Sequence, residues 1–320
     1  FSFFAADLGG GGDAMLDQFI WGDVDRISPE APVPIVNFKR ESFMAGGAAN
    51  VARNLTALGC PAQMHSVIGR DDAAKTLREL LKTDGVGCQP LITDASRQTS
   101  CKTRIIAQRQ QVVRVDRETR NDVEPRLAKR LAKSIANGLA EAKALVIGDY
   151  GKGVITQNFL DELKALGRRH NAWLSLDPKP IHSLDLRGLS LITPNRKEAF
   201  ELAGISDTSR HTQPLKDKNL MRAAKQLLGT LELNVLLITL GELGMLVCEP
   251  DKKPFHIPTL AWEVFDVSGA GDTVIGTFTL AIAAGAAPNE AAMLANHAAG
   301  VVVGKLGTAT VTPKELLASF

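Results

Sequence analysis

The sequence predicts an α/β fold: a mostly parallel central sheet with helices on both faces, plus a small β-sheet lid. Three observations predict it. Short apolar runs of β character alternate with amphipathic helical stretches through the middle and end of the chain. Polar clusters follow the apolar runs directly, where the carboxyl ends of parallel strands would gather them in one crevice. Two regions instead alternate apolar and polar residues, as antiparallel strands open to water on one side do.

The elements follow in order. Leu8-Gly9-Gly10-Gly11-Gly12 is a poor first strand, because four successive glycines weaken pairing through entropy and lack of packing. The run does not make a dinucleotide-binding loop either. No strand precedes it and no acidic residue stands where that fingerprint requires one, which sets an NAD-dependent oxidoreductase aside. Residues 32–38 carry two prolines and then alternate, and residues 99–106 and 111–116 alternate around a turn at 108–110. These are expected as antiparallel lid strands, inserted at about 18–40 and 97–117 into a single domain spanning 1–320. Leu145-Val146-Ile147, Trp173-Leu174-Ser175-Leu176, Leu189-Ser190-Leu191-Ile192 and Val235-Leu236-Leu237-Ile238 are buried strands. Helices over 125–142, 156–166 and 219–228 separate them, and an Ala- and Gly-rich helix is expected over 274–284. Gly148-Asp149-Tyr150-Gly151-Lys152, Asp177-Pro178-Lys179 and Thr193-Pro194-Asn195 each follow a strand and should face the crevice.

Composition narrows the function. The apolar fraction of 45% suits a globular core, and a net charge of +2 offers no field to attract nucleic acid or membrane. Four scattered cysteines form neither a metal site nor a disulfide frame and fit a reducing compartment. No apolar run spans a bilayer, and the apolar residues 1–6 lack the basic flank of a signal peptide. The expected location is the cytoplasm.

Two segments carry chemistry. In Asp266-Val267-Ser268-Gly269-Ala270-Gly271-Asp272-Thr273, small residues open a helix and leave backbone N–H groups for an anion. Asp272 there would repel a phosphate unless its task is to take a proton from an attacking hydroxyl. The stretch therefore reads as a phosphoryl-transfer site with Asp272 as general base. Upstream, Gly46 and Gly47 open a second Ala-rich helix, and Asn50 on its first turn can bridge ligand hydroxyls. A tight strand-to-helix turn with a buried asparagine accounts for that segment about equally well.

Together these segments resemble the two signatures of the ribokinase-type (PfkB) carbohydrate kinase family, over about residues 12–320. Three further motifs resemble its heptose 7-phosphate kinase branch: Arg26-Ile27-Ser28-Pro29-Glu30-Ala31-Pro32-Val33-Pro34, Asp149-Tyr150-Gly151-Lys152-Gly153, and Gly300-Val301-Val302-Val303-Gly304-Lys305-Leu306-Gly307-Thr308. The resemblance implies a ribokinase-like fold. It implies ATP-dependent phosphorylation of the anomeric hydroxyl of D-glycero-β-D-manno-heptose 7-phosphate, on the way to ADP-heptose and the lipopolysaccharide core. It also implies ATP and Mg2+ as cofactors. Separately, the open face of the small lid sheet is expected to pair two subunits into a homodimer.

Residue by residue, the resemblance makes Asp272 the base and Gly269, Ala270 and Gly271 the anion hole. Asn195 and Glu198 would organise magnesium, mostly through water. Thr239, Gly241 and Gly244 would form the nucleotide loop, with Asn296 near the adenine and Lys179 near the transferred phosphate. Asp17, with Asp13, would accept bonds from sugar hydroxyls. Asp266, Val267 and the 305–308 loop resemble a site for a monovalent cation such as K+. The distal phosphate of the sugar needs cations, and Lys102 and Arg104 share one face of a lid strand, with Arg104 the leading choice for its bidentate fork. Plainer readings stand beside these: a first-turn helix carboxylate for Glu198, a hairpin turn at 239–244, solvated edge charges for Lys102 and Arg104, and an ion pair for Lys179. The rival functions are a kinase of ribose, fructose or a nucleoside, and an inactive sugar or nucleotide sensor. Many relatives fuse this kinase to a nucleotidylyltransferase with a His-x-Gly-His motif, which does not occur here, so the kinase alone is expected.

Overall fold

A computed structural model describes residues 8–320 apart from 109, 141, 181–182 and 261–263. Its main sheet has nine strands. From one edge to the other they run β13 (Phe255–Ile257), β12 (Met245–Cys248), β11 (Val235–Thr239), β10 (Leu191–Ile192), β9 (Trp173–Asp177), β8 (Ala144–Gly148), β1 (Leu8–Gly12), β4 (Ala62–Ile68) and β5 (Leu91–Thr93). Pairing is parallel from β11 to β5; β12 alone runs against the others, pairing antiparallel with β11 on one side and β13 on the other. Alternation along each strand sorts the core into two layers. Leu145, Ile147, Leu174 and Leu176 pack against α3 (Pro125–Leu139), α4 (Gln157–His170), α5 (Arg196–Ala203) and α6 (Lys218–Leu231). Ala144, Val146, Leu191 and Leu237 face the other way, onto α1 (Ala48–Ala57), α7 (Ala270–Ala283) and α8 (Pro288–Val303). This is the expected ribokinase-like architecture.

The glycine run is a strand after all. β1 is an interior strand of the sheet, pairing with β4 and β8 along its length. Ladder bonds on both sides replace the packing that its missing side chains cannot give. Small size is required at its end: at Gly12, with φ 141°, a Cβ would sit 2.1 Å from the Gly148 carbonyl oxygen.

The lid is a four-stranded sheet in the order β3 (Pro34–Gly47), β2 (Ala14–Ile27), β6 (Ser100–Ala107), β7 (Gln110–Arg117). Two expectations need correcting. Its first hairpin runs from 14 to 47 rather than 18 to 40, because both strands continue down into the core, where residues 14–17 and 45–47 are buried. Nor is the lid wholly antiparallel, since β2 pairs with β6 in parallel. The late helix starts at Ala270, not 274, because Gly269 turns the chain in the left-handed region at φ 77° and the small residues themselves form the first turn. Helix α4 runs past 166 to His170, ending on Asn171 at φ 50° with three basic residues in its last turn.

Candidate active site

Asp272 is the third residue of α7 and is buried. Both carboxylate oxygens accept a hydrogen bond. Asn50 Nδ2, from the first turn of α1, donates to Oδ2 at 2.9 Å, and the Tyr150 hydroxyl donates to Oδ1. Burial pushes the Asp272 pKa up to about 6, while the Tyr150 and Asn50 bonds pull against it. Gly269 is fixed twice over, by its positive φ and because a Cβ would lie 2.6 Å from Asn50 Nδ2. The Ala270 N–H is spent on the Val267 carbonyl at 3.3 Å, whereas the Gly271 and Asp272 amides have no partner among the described residues. Gly271 faces open space, with nothing within 4 Å of where a Cβ would be.

On one side of Asp272 lie the residues expected to hold a sugar. Asp13 is committed to its own surroundings: its carboxylate accepts from the N–H groups of Tyr150 at 2.9 Å, Lys152 at 3.0 Å and Val154 at 3.1 Å. It organises the loop after β8. Burial nevertheless raises its pKa, with those amides acting against the rise. Asp17 pairs with Arg104, whose guanidinium also lies 5.2 Å from the centre of the Phe19 ring. The Arg104 side chain is only 15% exposed, so it is not a solvated edge charge. Lys102 is the register partner of Asp17, and burial lowers its pKa. Gly46 has to be small, since a Cβ would sit 2.1 Å from Asp17 Oδ2, and Gly47, at φ 58°, would meet Met15 at 2.4 Å.

On the other side opens a cleft of roughly 900 Å³. Asn195, Glu198, Thr239, Gly241, Gly244, Ala270, Gly271 and Asn296 all line it, so residues from four separate motifs meet there. Several are also committed locally. Asn195 caps α5 by accepting from Glu198 N at 3.0 Å, and Glu198 returns the bond to Asn195 N at 3.0 Å, a reciprocal capping box. Lys179 donates to Glu198 at 3.0 Å, so its ion-pair reading holds; it lines a smaller adjoining pocket of about 220 Å³. Asn296 Nδ2 donates to the Pro258 carbonyl at 2.9 Å. The 239–244 turn does join an antiparallel hairpin, with Gly244 at φ 83° pressed against β13. Asp266 links the 266–268 and 307 loops by accepting from Ser268 N and Gly307 N, both at 2.9 Å.

Two groups at the site carried no role in the sequence reading, Tyr150 and Asp177. Both stood in the polar clusters after strands, which was the available signal. Asp177 lines the cleft, and burial together with the Asp272 and Glu198 charges holds its pKa well above the usual carboxylate range. Among the described residues no group of three or more His, Cys, Asp or Glu side chains is set to hold a metal. Crowded negative charge beside one amide oxygen still fits a hard cation that keeps most of its waters.

The chain is 44% identical over 309 residues to the Bifunctional protein HldE of Geotalea uraniireducens, covering 97% of this chain and 62% of that protein. It is 42% identical over 309 residues to the HldE of Geobacter sulfurreducens, with the same coverage. The chain thus spans less than two thirds of the curated relatives it matches. In fold it is similar to Arabidopsis thaliana ribokinase complexed with ribose and ATP, at TM-score 0.77, 19% identity and 99% coverage of both chains. It is likewise similar to Escherichia coli phosphofructokinase-2 in complex with potassium, at TM-score 0.77, 18% identity and coverage of 98% and 97%. The model of the pfkB family carbohydrate kinases matches residues 12–315, nearly the whole chain, and the chain belongs to that family.

Proposed function

We propose that this chain moves the γ-phosphoryl group of ATP onto the anomeric hydroxyl of D-glycero-β-D-manno-heptose 7-phosphate, giving the 1,7-bisphosphate, in the cytoplasm. The observation that carries the reading is Asp272: a buried carboxylate with a raised pKa, between an anion-accepting helix start and a cluster of sugar-compatible polar groups. Its proton affinity lies close to working pH, which suits a general base. In the proposed step the sugar hydroxyl gives its proton to Asp272. Its oxygen bonds to the γ-phosphorus as the bond to the leaving ADP oxygen breaks. The Gly271 and Asp272 amides, at the positive end of α7, favour the charge that develops.

Asn195 and Glu198 would hold magnesium through water. When bound, the ion would supply charge neutralisation on the phosphates. The pairing of relatives named HldE with the motif resemblance supports a heptose phosphate as acceptor. So does the barely exposed Arg104 beside Lys102, since a distal phosphate could take Asp17's place on the guanidinium. The lid would cover the sugar and keep water from the phosphoryl group, and its outer strand would pair two subunits. A monovalent cation such as K+ is proposed where Asp266 joins the 307 loop.

ADP release measured with magnesium, ATP and a panel of sugars tests the reading. Turnover with heptose 7-phosphate should exceed that with unphosphorylated heptose, ribose, fructose or a nucleoside by at least about a hundredfold, as loss of a bidentate phosphate contact implies. Equal turnover on the unphosphorylated sugar would contradict it.

A further inference from the structure

We propose that Tyr150 is a positioning residue for the base: its hydroxyl holds Asp272 Oδ1 in place and keeps the carboxylate ionised for proton capture. The inference rests on Asp272 acting as the base.

The arrangement is built from several directions. Tyr150 is the only tyrosine in the chain, and its hydroxyl donates to Asp272 across 122 residues of sequence. Its ring lies where two glycines leave room. A Cβ at Gly148 would come within 2.7 Å of Tyr150 Cε2, and one at Gly47 within 3.3 Å. The loop that carries it is clamped on both sides. Asp13 accepts the Tyr150, Lys152 and Val154 amides, Arg97 donates to the Lys152 carbonyl, and Lys152 pairs with Glu118. A tyrosine filling space would need none of this aim. With Asn50 on Oδ2 and Tyr150 on Oδ1, the carboxylate cannot rotate, and its remaining lone pairs point in fixed directions.

The electrostatics run the same way. A donor bond favours the charged form of a carboxylate, so Tyr150 opposes the burial that raises the Asp272 pKa. The reverse holds for the phenol. Burial and the charges of Asp272, Asp177 and Asp13 make it much harder to ionise than a free tyrosine. Asp17 from β2 and Lys102 from β6 also face Asp272, with opposite effects on it. Both charges are unchanged by removal of the Tyr150 hydroxyl.

Two measurements test the proposal. The first needs no substrate. Because one tyrosine gives the whole phenolate signal, its ultraviolet titration reads Tyr150 alone. In the unaltered protein phenolate should appear only well above the pH at which free tyrosine ionises, and Asp272→Asn should bring the onset down. An ordinary tyrosine titration, or the same onset in Asp272→Asn, overturns the pairing. The second is the pH profile of kcat/KM for Tyr150→Phe, folding checked by circular dichroism, with whichever sugar phosphate turns over. Its acid limb should move to higher pH, so that activity falls about tenfold relative to the unaltered enzyme at pH 6 and converges above pH 8. A folded Tyr150→Phe protein with an unmoved acid limb overturns the proposed role. Failure of the proposed acceptor sugar would leave the phenolate titration unaffected, so the two readings fail separately.

Discussion

Asp272 is destabilising in the form the chemistry needs. Its ordinary carboxylate value is 3.8, and in the fold it rises to about 6. Between those values the unfolded chain has released its proton and the folded chain has not. Stability therefore falls as pH rises through that window, by on the order of 3 kcal/mol at about 1.4 kcal/mol per unit. Asp272→Asn removes the penalty. We expect the variant to be more stable than the parent in urea at pH 7.5, by up to about 3 kcal/mol, and no more stable at pH 3.5. A residue that merely braced the fold would give a loss at both values. Asp272 could be singled out in sequence because a carboxylate among small residues at a helix start has few uses. The carboxylate's partners were not. Asn50 and Tyr150 reach it across 222 and 122 residues, and no local pattern encodes such contacts.

At the scale of elements, the parallel strands were readable because they are buried on both faces and so appear as unbroken apolar runs. Strand β2 was not, because its outer half is exposed and Phe19-Ile20-Trp21 and Asp25-Arg26 interrupt its alternation. Strand β1 was misjudged for another reason. Propensity disfavours it, and only its two neighbours decide the outcome. Its glycines are not equivalent, which gives a test of register. At Gly10 a Cβ would make ordinary contact, 3.5 Å from the Gln63 carbonyl, so Gly10→Ala should be neutral or stabilising by up to about 1 kcal/mol. At Gly12 the same change collides with Gly148 at a positive φ and should cost more than about 3 kcal/mol. Denaturant midpoints of the two variants would show it, and equal effects would argue against this register. The capping box at Asn195 and Glu198 carries a similar lesson. The capping role is what the atoms do, and the proposed magnesium role would have to share those atoms with it, because any helix start has to cap itself.

For the whole molecule, the crevice was legible as a place, since the switch from strand to polar cluster recurs along the sheet and the topology brings those ends together. The proposed subunit contact rests on exposure. All eight residues of β7 are exposed, and Val112, Val113 and Val115 stand at the lid edge with 41%, 46% and 45% of their surface open. Although Arg114, Asp116 and Arg117 share the strand, an exposed edge carrying three valines can pair with another edge. Sedimentation velocity should find a dimer, and Val113→Asp should shift it to monomer. A monomeric parent protein would remove the lid-paired dimer from the account.

Whether Asp272 takes the proton of the sugar hydroxyl is decided by single-turnover phosphoryl transfer in Asp272→Asn. The rate should fall at least about a thousandfold below the parent, with ATP binding and folding retained. A folded Asp272→Asn protein that transfers phosphate within about tenfold of the parent rate would contradict it.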